Sequence, residues 1–143
     1  MNAYTELQKK HHDELHAFPC FFAYNTEQFA EGMKSLGLRP KTDIKLICRG
    51  IAGMYYRKSD SPRLKEILDR HTKEELDAIK ADSTGEGYIL DMFSEELANH
   101  EYGYTRDLSE TLDALGLTMD QVRASETLLH GLQKALEHYN ATV

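Results

Sequence analysis

Near the N-terminus, Tyr4, Leu7, His11, Leu15 and Phe18 fall on one stripe at helical spacing. They predict an amphipathic helix over residues 4–17, stopped by Pro19. Cys20-Phe21-Phe22-Ala23-Tyr24 follows. It is apolar on both faces, the pattern of a central strand in a small sheet. Asn25, with Gln28 three residues on, caps a second helix that buries Phe29, Met33 and Leu36 and ends at Gly37. Ile44-Lys45-Leu46-Ile47-Cys48 and Met54-Tyr55-Tyr56-Arg57 predict two further strands, antiparallel to each other. Gly50-Ile51-Ala52-Gly53 forms the turn or bulge between them.

Beyond the strands the period is helical. Ser61-Pro62 starts a helix burying Leu64, Ile67, Leu68 and His71. Thr72 with Glu75 reads as another capping box, so the chain is expected to kink there before a shorter helix carrying Leu76 and Ile79. Ser83 with Glu86 caps a helix that runs to about His100 and buries Ile89, Met92, Phe93 and Leu97. Asp107 with Glu110 caps a short helix ending at Leu115-Gly116-Leu117. Thr118 with Gln121 caps the last helix, with Val122, Leu129, Leu132, Leu136 and Tyr139 as its stripe. The order α-β-α-β-β followed by helices predicts one α+β domain over residues 1–143. Its small, mostly antiparallel three-stranded sheet has helices packed on one face, and the C-terminal half is helical.

A chain of 143 residues can bury roughly 68–70% of its unfolded surface, enough for a core without metal or disulfide staples. Its two cysteines, Cys20 and Cys48, sit in apolar stretches without a C-x-x-C spacing. They read as buried free thiols in a reducing compartment, although Arg49 beside Cys48 leaves a thiolate open there. No apolar segment follows Lys9 and Lys10, and the run around residues 18–24 is too short to span a bilayer. The expectation is a cytoplasmic protein without a membrane partner. The net charge of −7 is uneven: residues 39–80 carry eleven basic and seven acidic side chains, residues 81–143 three basic and twelve acidic. The acidic half could dock on a basic surface, or could be several solvated helix faces.

Seven histidines invite a metal reading. His12 and His16 stand four apart, the spacing at which one helix face can hold a zinc ion. Asp13, however, occupies the place where the zincin motif needs Glu, and both histidines lie off the apolar stripe. His11 lies on the apolar stripe of its helix. Glu96 and His100 lie one turn apart on the buried side of theirs. Convergence of His11, Glu96 and His100 on a cavity would make them a metal or acid–base site. Otherwise Glu96 and His100 form a hydrogen bond that fixes packing. The glycine turn at 50–53, flanked by Arg49, Arg57 and Lys58, lacks the strand-to-helix context of a phosphate loop. Leu112, Gly116 and Val122 take helix-turn-helix packing positions, but Asp107, Glu110, Asp113 and Asp120 surround them. Nucleic acid is therefore not the expected partner and a tight helical corner suffices.

Several segments together carry a likeness: Phe21-Phe22-Ala23-Tyr24-Asn25, Met33-Lys34-Ser35-Leu36-Gly37-Leu38, Gly53-Met54-Tyr55-Tyr56-Arg57-Lys58, Leu97-Ala98-Asn99-His100-Glu101-Tyr102 and Thr111-Leu112-Asp113-Ala114-Leu115-Gly116-Leu117-Thr118. The chain resembles a family of small uncharacterised proteins, a domain of unknown function, associated with phages and mobile elements of intestinal bacteria. The resemblance implies a cytosolic accessory role and transfers no catalytic residue.

The functional expectation is a non-enzymatic interaction or regulatory protein, monomer or homodimer and without a cofactor. It would dock on another protein through its acidic helical half. The alternative is a small-molecule- or metal-binding enzyme built on the inward-facing His/Glu cluster. A third reading, DNA binding by residues 107–124, has the charge of those residues against it.

Overall fold

Caps written into the sequence set several helix boundaries. In the computed structural model the Asn25 side chain accepts from the Gln28 amide at 2.8 Å, opening a helix over Thr26–Ser35. Thr118 and Gln121 form a reciprocal capping box, with bonds of 3.1 and 2.9 Å. The structure describes the backbone of residues 1–143 and the side chains of residues 1–50 and 52–143. In chain order the elements are α1 (Ala3–His16), α2 (Thr26–Ser35), β1 (Ile47–Arg49), β2 (Tyr55–Arg57), α3 (Ser61–Ala81), α4 (Tyr88–Asn99), α5 (Tyr102–Thr105), α6 (Ser109–Leu115), α7 (Met119–Arg123) and α8 (Glu126–Glu137). They divide into two compact units. One comprises residues Met1–Lys10 and Lys73–Val143, the other His11–Thr72.

The first unit is helical. Ile89, Phe93 and Leu97 of α4 and Leu132 and Leu136 of α8 are fully buried in one apolar core, joined by Tyr4, Tyr88, Met92, Leu112 and Val122. Two glycines let the turn before α4 approach α8. A Cβ at Gly131 would lie 2.6 Å from the Gly85 carbonyl oxygen, and one at Gly85 only 2.4 Å from that of Thr127. Gly85 also has φ +81°, which a side chain would resist.

The second unit is built on a hairpin. β1 and β2 are antiparallel, pairing Ile47 with Arg57, Cys48 with Tyr56 and Arg49 with Tyr55. The turn between them holds Ala52 and Gly53 in the left-handed region. Because side chains alternate across a strand, Tyr55 and Tyr56 serve opposite faces. Tyr55 packs on Phe29 of α2, with ring centroids 5.3 Å apart. Tyr56 meets Phe18 at 6.1 Å on the side where Met54, Leu64 and Ile67 are buried. Helices therefore cover both faces of this sheet, not one.

Several expectations need correction. The sheet has two strands, not three. Residues 20–24 contribute one isolated bridge, in which Phe21 and Tyr55 exchange bonds of 2.9 and 2.8 Å. Pro19 has no amide to extend the pairing, and the Tyr24 amide donates instead to the Gln28 side chain at 2.8 Å. Residues Ile44–Leu46 form a 3-10 turn, and strand pairing starts only at Ile47. No kink occurs at Thr72. Its hydroxyl donates to the Leu68 carbonyl inside a continuous 21-residue α3. Asp82, not Ser83, organises the start of α4, and its carboxylate accepts from the amides of Thr84, Gly85, Gly87 and Ile89. The expected last helix is two helices. After α7 the Ser125 side chain accepts from the Leu128 amide and starts α8 afresh.

Candidate functional site

In the second unit, residues 20–24 run extended past β2 with side chains on both sides. Cys20 and Phe22 line a cavity of about 340 Å³ together with His12, Leu15, His16, Ala52, Met54, Leu64 and Leu68. The His12 and His16 rings, one turn apart on α1, lie 4.8 Å apart between centroids. Burial pushes the Cys20 thiol above its usual pKa, so it stays protonated and is no nucleophile at neutral pH.

Phe21 points the other way. Its ring stacks on Tyr55 at 5.2 Å and 14°, and Phe29 stands edge-on to both. Gly32 permits this, because a Cβ there would lie 2.1 Å from the Phe21 ring. The Arg49 guanidinium lies 5.9 Å from the Tyr55 centroid. Ala23, Tyr24, Asn25, Thr26, Phe29, Arg49 and Tyr55 line a shallow groove here. Tyr24 is 90% exposed, Phe22 52%, and Ile44 and Leu46 about half exposed. Four of the exposed large apolar side chains thus fall within residues 22–46.

The sequence-derived candidates divide between the units. Glu96 and His100 face inward as a pair: His100 Nε2 donates to Glu96 at 3.2 Å. The Tyr4 hydroxyl donates to the same carboxylate at 2.9 Å and the Asn99 amide at 3.2 Å. Burial, then this bond to Glu96, pushes the Tyr4 hydroxyl far above the usual tyrosine range. The cavity of about 300 Å³ found in this unit is lined by Ser94, Ala98, Lys134, Ala135, His138 and Tyr139, and so by neither Glu96 nor His100. His11 belongs to the other unit, where it stacks on buried His71 at 3.8 Å and 12°. His71 Nε2 donates to Glu14 at 2.7 Å, and Arg70 binds the other carboxylate oxygen. Arg70 first, then His71, hold the Glu14 carboxyl down to about 2.

Among the described residues, no three His, Cys, Asp or Glu side chains are grouped to hold a metal ion, and no helix is long and apolar enough to cross a membrane. Leu112 and Val122 are buried, and Gly116 at φ +66° ends α6, as a tight helical corner requires.

The acidity of the first unit has a local use. Asp91, Glu110, Asp120 and Glu126 stand in the first turns of α4, α6, α7 and α8, where the helix dipole favours negative charge. Asp82 receives four amides, and Asp107 receives the Ser109 amide at 2.9 Å.

Residues 20–24 do use both faces, as their apolar pattern predicts, but around a single bridge at Phe21 and not as a central strand, with Cys20 and Phe22 on one side and Phe21 on the other.

Fold and faces together define a small, mostly helical protein with one two-stranded antiparallel sheet. The chain belongs to a family of unknown function, DUF7659, whose profile matches residues 3–138. The likeness read from the sequence holds to that extent. No curated protein and no solved structure gives a significant match.

Proposed function

We propose that the protein is a non-enzymatic interaction protein that docks another protein on the α2 side of its second unit. One observation carries this reading: Tyr24, Phe29, Tyr55 and Arg49 converge on an open groove, and the Tyr24 side chain is 90% exposed there. Aromatic residues and arginine are the types that concentrate binding energy at protein interfaces. A nucleic acid fits less well. This unit carries ten basic and eight acidic residues, and Glu27 and Glu31 are exposed on α2 itself.

The acidic helical half is the weaker docking surface, because much of its charge sits at helix starts. In this reading the protein works in the cytoplasm. It is carried by phages or mobile elements of intestinal bacteria, as the sequence resemblance implies.

Affinity capture with three forms of the protein tests the reading. The wild type and Glu110→Lys/Asp113→Lys should retain the same partner, and Tyr24→Ser/Arg49→Glu should lose it. The opposite pattern would return docking to the acidic half.

A second reading, acid–base chemistry at Glu96 and His100, is favoured by one observation. The His100 side chain is 29% exposed while the part-buried Glu96 carboxylate orients its ring. It requires a turnover that His100→Ala abolishes, with the fold intact.

A further inference from the structure

We infer that the cavity between α1, α3 and residues 20–22 is a binding site for a small amphipathic carboxylic acid. The inference is independent of docking on the α2 side. Its volume of about 340 Å³ lies within the range of roughly 300–1,000 Å³ typical of small-molecule sites. Leu15, Phe22, Met54, Leu64 and Leu68 offer an apolar wall suited to a hydrocarbon body, with the unbranched Met54 able to adapt to its shape.

The polar groups among the described lining residues select the head group. His12 and His16 line one side, and no Asp or Glu lines the cavity. An imidazole has an N–H to donate in its neutral and its protonated form, and two donors on successive helical turns match the two oxygens of a carboxylate. Cys20, kept as a thiol by its burial, adds no opposing charge. A cationic ligand would find no counter-charge. A metal ion would find no third ligand, since the described residues group no three donors around one. The structure thus uses His12 and His16 as head-group donors rather than as zinc ligands.

Calorimetric titration of the full chain with straight-chain carboxylates, below their micelle concentrations, tests the inference. Hexanoate, heptanoate and octanoate should bind one per chain, tightening about fourfold per added methylene until the cavity is full. Octan-1-ol should bind more weakly than octanoate. His12→Gln/His16→Gln alters exposed positions that carry no core packing. It should remove most of the advantage of octanoate over the alcohol. Leu68→Phe, which fills the cavity, should weaken every ligand about tenfold or more. Absence of saturable binding at millimolar octanoate would overturn the site. So would affinities unchanged in both variants, or equal affinity for acid and alcohol in the wild type. Should Leu68→Phe fail to fold, the histidine variant and the alcohol comparison decide alone.

Discussion

Replacing Asp82 with alanine tests how the turn before α4 is built. The carboxylate accepts from the amides of Gly85 at 2.9 Å, Gly87 and Ile89 at 3.0 Å and Thr84 at 3.2 Å. In the variant, water can reach the exposed Thr84 and Gly87 amides, but the part-buried Gly85 and Ile89 amides are left without an acceptor. Each such orphan costs about 1–3 kcal/mol, against about 1 kcal/mol for an ordinary lost cap. The expected loss is about 3 kcal/mol, which in a chain of this size lowers Tm by about 10 °C. Thermal unfolding followed by circular dichroism at neutral pH reads it directly. Ser83→Ala, at the residue the sequence nominates as cap, should stay within about 0.5 kcal/mol of wild type. The pH dependence has a definite sign. Burial works to raise the Asp82 pKa, but the four amide bonds outweigh it and hold it below 3.8. The contribution is therefore complete above the unfolded value and disappears as pH falls through the lower folded one. A loss under about 1 kcal/mol, equality of the two variants, or a wild-type advantage that survives in strong acid would refute the reasoning.

Glu14, held down to about 2 by Arg70 and His71, stabilises the second unit above its unfolded value near 4.5. That contribution should fade as pH falls from 4.5 through about 2. Arg70→Ala should move the Glu14 carboxyl titration upward, as read by carbon NMR. Tyr4→Phe removes a 2.9 Å bond to a part-buried carboxylate and should cost about 2 kcal/mol. Urea unfolding should show a lower midpoint with an unchanged slope, and an unchanged midpoint would contradict the bond's importance. Gly131→Val places a Cβ 2.4 Å from Ile89 Cγ2 and 2.6 Å from the Gly85 carbonyl oxygen. It should destabilise by about 3 kcal/mol or more through overpacking, measurable as a lower melting temperature.

Local chemistry made part of this legible in the sequence. The stripes on α1, α3 and α4 follow from the sequence because a 3.6-residue period and a buried face are one fact, whereas on α8 the buried position is Leu128 and Leu129 is only partly covered. The inward pairing of Glu96 with His100 followed from the same geometry. What failed needed information from outside the segment. Thr72 and Glu75 match a capping box, yet an uninterrupted helix accommodates both. Ser83 matches a cap, but Asp82 lies one residue earlier and gathers four amides instead. The apolar run at 20–24 has the pattern of a central strand. Its ladder ends after one bridge because Pro19 and the cap of α2 bracket it. The cavity draws on α1, residues 20–22, the hairpin turn and α3, so no local window shows it. His12 and His16, singled out for their spacing, line that cavity, whereas His11 stacks on His71.

The most direct test of docking on the α2 side is site-specific photo-crosslinking in cells that carry the protein naturally. A photoreactive residue is placed at Tyr24 in one strain and at Glu110 in another. The account predicts a discrete adduct with one partner protein from position 24 and none from position 110. Adducts from position 110, or none from position 24, would contradict it.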